Sequence, residues 1–216
     1  MSTDYASMLL VVLLLALLPF AAMVVTSYTK IVVVLGLLRN AIGVQTVPPN
    51  TVLNGIALII SCFIMAPVAM DAMQTVQAGG GASTTGQQSQ IITMIDAARA
   101  PFRKFLLAHT HEREKAFFIN AAQRIWPPER AAELKKDDLI ILAPSFILTE
   151  LTDAFRIGFL IYLAFVIVDL VIANALMALG LSQVTPTNIA IPFKLLLFVG
   201  LDGWSTLLHG LVLSYR

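Results

Sequence analysis

The stretch LIILAPSFILTELTDAFRIGFLIYLAFVIVDLVIANALMALGL, residues 139–181, decides the fold class. It carries only four charged side chains, Glu150, Asp153, Arg156 and Asp169. Leu139 to Phe146 leads into a polar-studded helix start, and the apolar runs Ile157–Val168 and Leu170–Leu181 lie on either side of Asp169. Runs of this length and composition point to an all-α protein of membrane type.

The rest of the composition agrees. Hydrophobic residues make up 58% and charged residues 12% of the 216, where a soluble domain carries about 25% charge. Mean hydropathy is +0.84. The net charge of +1 indicates no polyanionic partner, so no nucleic acid is expected. Of the 27 charged side chains, 17 lie between Asp71 and Asp138. Two apolar arms, 1–70 and 139–216, therefore flank one polar insert, 71–138. The single cysteine, Cys62, excludes an internal disulfide and a cysteine-based metal site. Within its apolar run it reads as a small buried hydrophobe.

In the first arm, Met8 to Val25 is long enough, at about 1.5 Å per residue, nearly to span a hydrocarbon core. Pro19 predicts a kink in it. No basic residue precedes this run and no small-residue cleavage site follows, which argues against a signal peptide. Ile31 to Leu38 is too short to span alone, so the first helix is expected to continue past Lys30. Arg39 to Asn50, with Gly43 and the Pro48-Pro49 pair, is a connector, and a second helix is expected from Val52 to Met70. The insert opens on a Gly/Ser/Gln linker, 79–90. Two amphipathic helices follow. The first is marked by Ile91, Ile95, Phe102 and Phe105; the second, Glu112 to Ile125, is expected to bury Phe117, Phe118 and Ala121 and to end at Trp126-Pro127-Pro128. The second arm closes with a turn, Ser182 to Asn188, and a last apolar helix, Ile189 to Leu213. Lys30 and Arg39 flank the first connector with no acid nearby, which places that connector in the cytoplasm and the insert and both termini in the periplasm.

Charges within apolar helices need partners. Glu150, Asp153, Arg156, Asp169, Lys194 and Asp202 stand in or beside the second arm. Asp153 and Arg156 share a helix face at i,i+3, as do Asp202 and His209 at i,i+7. Lys194 has Asp169 and Asp202 as possible partners. Three readings stand open: pairing within the subunit, a proton or ion relay in a stand-alone secondary transporter built on Asp169, Lys194 and Asp202, or contacts with other subunits. Catalytic signatures are missing. His109-x-His111 is no HExxH, and neither a Gly-x-Ser-x-Gly element nor a phosphate-binding GxxxxGK[ST] loop occurs. Asp71, Asp96 and Asp137-Asp138 read as solvated or helix-start residues. The chain reads as a non-enzyme without cofactor or metal.

Three stretches carry a resemblance. The first runs from Leu17-Leu18-Pro19-Phe20 through Thr26-Ser27-Tyr28-Thr29-Lys30 to Leu38-Arg39-Asn40-Ala41-Ile42-Gly43, with Gln45 and Pro48-Pro49-Asn50. The second is the whole segment 144–158, including Phe146, Thr149-Glu150-Leu151 and Phe155-Arg156-Ile157-Gly158. The third joins Ile191-Pro192-Phe193-Lys194-Leu195 to Leu201-Asp202-Gly203-Trp204. Together they resemble the FliP/SctR family of type III secretion, over both arms and about two-thirds of the chain.

The resemblance implies a hairpin subunit of an inner-membrane export gate. Several copies, by family resemblance five, assemble with SctS/FliQ-like and SctT/FliR-like subunits beside a SctU/FlhB-like switch subunit. The family assembly is raised towards the periplasm and passes unfolded export substrates. It also implies that the arm charges, Glu150, Asp153, Arg156, Asp169, Lys194 and Asp202, are candidate intersubunit contacts. Where the family carries methionines in its pore loop, this chain has Gly180, Leu181, Ser182, Gln183 and Val184 within 180–188, so either Leu181 or Val184 is expected to seal, or partner subunits do more of the closing. The short distance from the start of the chain to Leu17-Leu18-Pro19-Phe20 favours the virulence injectisome over the flagellum.

Overall fold

The computed structural model describes residues 8, 12–13, 16, 23–44, 46–79, 99–181 and 183–216. Most of the Met8–Val25 run, with Pro19, lies outside the described residues, as do residues 80–98 with most of the expected linker. Among the described residues the regular structure is all helical: α1 (Tyr28–Ile42), α2 (Asn50–Gly79), a helical segment over 99–108, α3 (Glu112–Ile125), α4 (Pro128–Ala132), α5 (Leu139–Ala178), α6 (Pro186–Gly200) and α7 (Gly203–Leu213). The chain divides into two compact units. One comprises Met1–Thr29 and Met65–Glu150, the other Lys30–Ile64 and Leu151–Arg216.

Among the described residues, two helices are long and apolar enough to cross a membrane, Asn50–Gln77 and Leu139–Ala178. The first outruns the expected Val52–Met70, because no breaker stands between Met70 and the glycines that begin at Gly79. The bent pair α6 and α7 passes the same test only as a broken span, with an angle of 61° between its halves. The expected single helix Ile189–Leu213 is thus two helices. Asp202 sits in the left-handed region at φ 52°, a conformation that aspartate tolerates better than most residues. It ends α6 and leads into α7. The first helix does not run on past Lys30 either: Val25 to Ser27 are non-helical and α1 starts at Tyr28. Local hydroxyls take up backbone groups at this break. The Thr29 Oγ1 donates to the Met23 carbonyl at 2.9 Å, and Thr26 Oγ1 accepts from the Tyr28 N–H at 3.4 Å.

Within the unit of Lys30–Ile64 and Leu151–Arg216, α1 packs along α5 in parallel. Lys30 meets Asp153, Leu37 meets Gly158, and Leu38, Ala41 and Ile42 share a core with Phe165 and Phe198. Gly158 permits the approach, since a Cβ there would overlap the Leu37 side chain. On the buried side of α5, Ala154, Gly158, Phe165, Asp169 and Leu176 fall within about 60° of one another at 3.6 residues per turn. Phe155, Phe159, Leu160, Tyr162, Leu163, Ile167, Leu170 and Val171 are exposed. The helix therefore buries one narrow seam. α2 behaves alike: Leu53, Ala57 and Ser61 are buried at i,i+4,i+8 while Leu58, Ile59 and Phe63 are not. Cys62 is exposed on this helix, against the expectation of burial, because it falls one position past the seam.

In the other unit, the helical segment 99–108 packs on the first turns of α5. Phe105, Leu106, Ile141, Leu142 and Phe146 are buried, and the Phe105 and Phe146 rings lie 5.8 Å apart. Fully burying each such side chain contributes roughly 1.5–3 kcal/mol. Ser145 and Thr149, also buried, spend their hydroxyls on the carbonyls four residues earlier, at 2.6 and 2.9 Å. The α3 span matches its expectation, but Phe117 is 57% exposed. Lys115 and Ala122, one i,i+7 face, are buried instead.

Candidate functional site

The charges in the arms are the chemistry to be placed. Lys194, on α6, is buried, and its Nζ lies 2.6 Å from Asp169 Oδ2 on α5 and 3.2 Å from the carbonyl oxygen of Ala41. That carbonyl belongs to the last turn of α1, where oxygens lack intrahelical donors and the helix dipole favours a cation. One ammonium thus joins three helices. Lys30 is equally buried, with Asp153 Oδ2 at 3.6 Å and the Tyr215 ring centroid at 4.4 Å, a cation–π distance. Buried ammonium groups persist only when charge and hydrogen bonds replace lost water, and both lysines meet that condition within one chain.

Between its two sequence candidates, Lys194 pairs with Asp169; Asp202 lies exposed at the α6–α7 bend. Asp153 is brought to Lys30, Arg156 is exposed, and Glu150 is fully buried in the other unit. The Lys30–Asp153 pairing and the roles of Ala41 and Tyr215 escaped sequence reasoning. A backbone carbonyl carries no sequence signal, and Tyr215 sits outside every apolar run.

The glycines and prolines of the motifs have physical work. Gly43, at φ 91°, ends α1, and Arg39 ties the connector that follows, its Nη1 donating to the Pro48 carbonyl at 3.2 Å and to Asn50 Oδ1 at 2.6 Å. Asn40 is exposed beside it, and Pro49 accepts the first amides of α2. Phe155 is exposed on α5, and Pro192 lies inside α6. The Gly203 backbone lies against the Phe198 ring, which stacks edge-on with Trp204 at 5.4 Å. Pro19 lies outside the described residues.

The loop after α5 is closed by a Schellman motif. The Leu181 N–H donates to the Leu176 carbonyl and the Gly180 N–H to that of Met177, both at 3.0 Å, with Gly180 at φ 72°. Leu181 and Gln183 are exposed, Val184 is half-buried, and Ser182 lies outside the described residues. Pro186 then starts α6 at its first position. Among the described residues no group of three or more His, Cys, Asp or Glu side chains is placed to hold a metal ion. His109 instead stacks on Phe105, and its Nδ1 lies 2.8 Å from that residue's carbonyl.

The FliP family model matches residues 10–211. The hypersensitivity response secretion protein HrcR of Ralstonia nicotianae is 67% identical, over 100% of this chain and 99% of its own length. The pathogenicity-related ORF2 product of Xanthomonas campestris pv. glycines is 69% identical over 99% and 98%. The Yop proteins translocation protein R of Yersinia pestis is 47% identical over 98% and 97%. The chain belongs to the FliP family, as a non-enzymatic component of a protein-secretion apparatus.

Proposed function

We propose that the chain is a core subunit of the export gate of a bacterial type III secretion system, in the injectisome rather than the flagellum. It forms, in several copies with SctS-like and SctT-like subunits and beside a SctU-like switch subunit, the channel through which unfolded proteins leave across the inner membrane. One observation carries this reading. The 40-residue α5 has only 11% of its most apolar window buried within the chain, and its uncovered side also carries the charged Arg156. Such a surface suits burial against further protein chains better than lipid on all sides.

On this reading the segment 71–138 is the periplasmic insert and the arms 1–70 and 139–216 build the wall of the gate. Arg156 and Asp202, both exposed, are the arm charges that meet neighbouring subunits. Lys30–Asp153 and Lys194–Asp169 hold each subunit's own helices in register. Leu181 and Val184, in the loop 180–188, seal the closed channel. The names of the relatives, a hypersensitivity response secretion protein and a Yop translocation protein, support the virulence branch.

The test is secretion. A strain lacking this chain is expected to lose export of its type III substrates and to regain it with the wild-type chain supplied in trans. Normal export in the deletion strain contradicts the proposal. The Leu181→Gly/Val184→Gly double variant is expected to keep assembly and raise ion leakage through the closed gate; an unchanged leak removes this loop from the seal.

A further inference from the structure

Arg39 differs from the two buried lysines of its unit. Lys30 has Asp153 and Lys194 has Asp169, whereas both hydrogen bonds of Arg39 go to neutral oxygens, the Pro48 carbonyl and Asn50 Oδ1. Among the described residues no carboxylate pairs with it. Its Nε is shielded from solvent and has no acceptor. The guanidinium forms part of the wall of a cleft of about 290 Å³, otherwise lined by apolar residues including Ile42, Val47, Leu195, Phe198 and Trp204. Val47 and Leu195 are also exposed at its edge, so apolar surface runs from the outside inward.

We propose that this cleft takes part of the acyl chain of an anionic membrane phospholipid, with its phosphate at Arg39. Four features fit one such occupant. A guanidinium whose two hydrogen bonds both go to neutral oxygens keeps its charge uncompensated and matches a phosphate better than any neutral group. The apolar lining matches a hydrocarbon chain. The volume sits at the small end of ligand pockets, which start at roughly 300 Å³, and so suits a chain segment rather than a whole lipid. Trp204 in the wall is of the residue type found at headgroup level. The cleft has no residue from α5, so the exposed face of that helix stays free for protein partners.

The test uses the full chain purified in mild detergent, stripped of lipid, and titrated with phosphatidylglycerol or with phosphatidylcholine of the same acyl chains. Native mass spectrometry reads the adducts. One phosphatidylglycerol is expected to bind about tenfold more tightly than phosphatidylcholine, because the choline cation opposes the guanidinium and offsets the phosphate charge that both lipids carry. R39Q is expected to bring the two lipids level, while R39K, which keeps the charge, retains a preference. Val199→Trp fills the cleft without touching the bonds of Arg39 to Pro48 and Asn50, and is expected to weaken both lipids about tenfold. Equal binding of the two lipids by the wild type overturns the proposal. So does lipid binding that Val199→Trp leaves unchanged, and so does no lipid binding at all, which leaves the cleft to a protein side chain.

Discussion

The two units of this chain handle charge differently. In the unit that contains α3 and α4, the pairs reach the solvent: Arg103 and Asp137 are each about two-fifths exposed, and Lys115, itself buried, holds a Glu112 that is mostly exposed and only three residues away. In the unit built on α1, α5 and α6, Lys30 and Lys194 are buried, and each holds its carboxylate from the inside. The difference teaches where the solvent is. Exposed pairs contribute little because water competes for both partners, whereas a buried ammonium that loses its partner is strongly destabilising.

The largest effect should come from Asp169→Leu, which leaves the buried Lys194 with one carbonyl; unfolding in detergent should show a loss of about 3 kcal/mol. Lys194→Met should cost less, about 2 kcal/mol, because Asp169 is 43% exposed and can hydrate. The double variant should cost less than the sum of the two. The reverse order, or full additivity, breaks the comparison by showing that the pair is not the tie it looks like. Gly203→Ala comes next, at about 2 kcal/mol, since its Cβ would collide with the rigid Phe198 ring. Gly158→Ala should be milder, because the tip of Leu37 can turn aside.

The other unit should answer weakly. Arg103→Ala is expected to change stability by no more than about 1 kcal/mol, and a larger loss would mean that this pair is buried in the assembly. The smallest effect is one of pH. The hydrogen bond and charge of Lys115 hold the Glu112 carboxyl below its ordinary value. A lowered folded-state value means that the contribution is complete above the ordinary carboxylate range and lost as pH falls through the lowered one. Glu112→Gln should remove that component from the acid limb of a pH–stability profile, and an unchanged acid limb would separate Glu112 from it.

The helical class and the connector at Gly43 and Pro48-Pro49 were legible because apolar runs and breakers are local signals. So was α3, whose bounds and whose end at Trp126 follow from its charge spacing and the prolines. The break at Asp202 was not legible. The run Ile189–Leu213 reads as one apolar stretch interrupted by Lys194, Asp202 and His209, and the turn depends on one left-handed residue and on Phe198 lying against the Gly203 backbone. Phe117 misled because an aromatic at helical spacing signals burial in a lone chain, while this helix buries Lys115 and Ala122. Of the charges, sequence could bring Lys194 to two aspartates but not choose between them, since the choice rests on where α6 crosses α5. Lys30–Asp153 joins residues 123 positions apart and follows only from the parallel packing of α1 on α5.

The central claim is that the exposed apolar face of α5 is covered by other protein chains. It is tested most directly by native mass spectrometry of this chain, expressed alone and then together with its SctS-like and SctT-like neighbours. The account predicts a discrete hetero-oligomer holding several copies of the chain, with hydrogen exchange along α5 slowed on assembly. A stable monomer or homodimer that ignores those neighbours would contradict it.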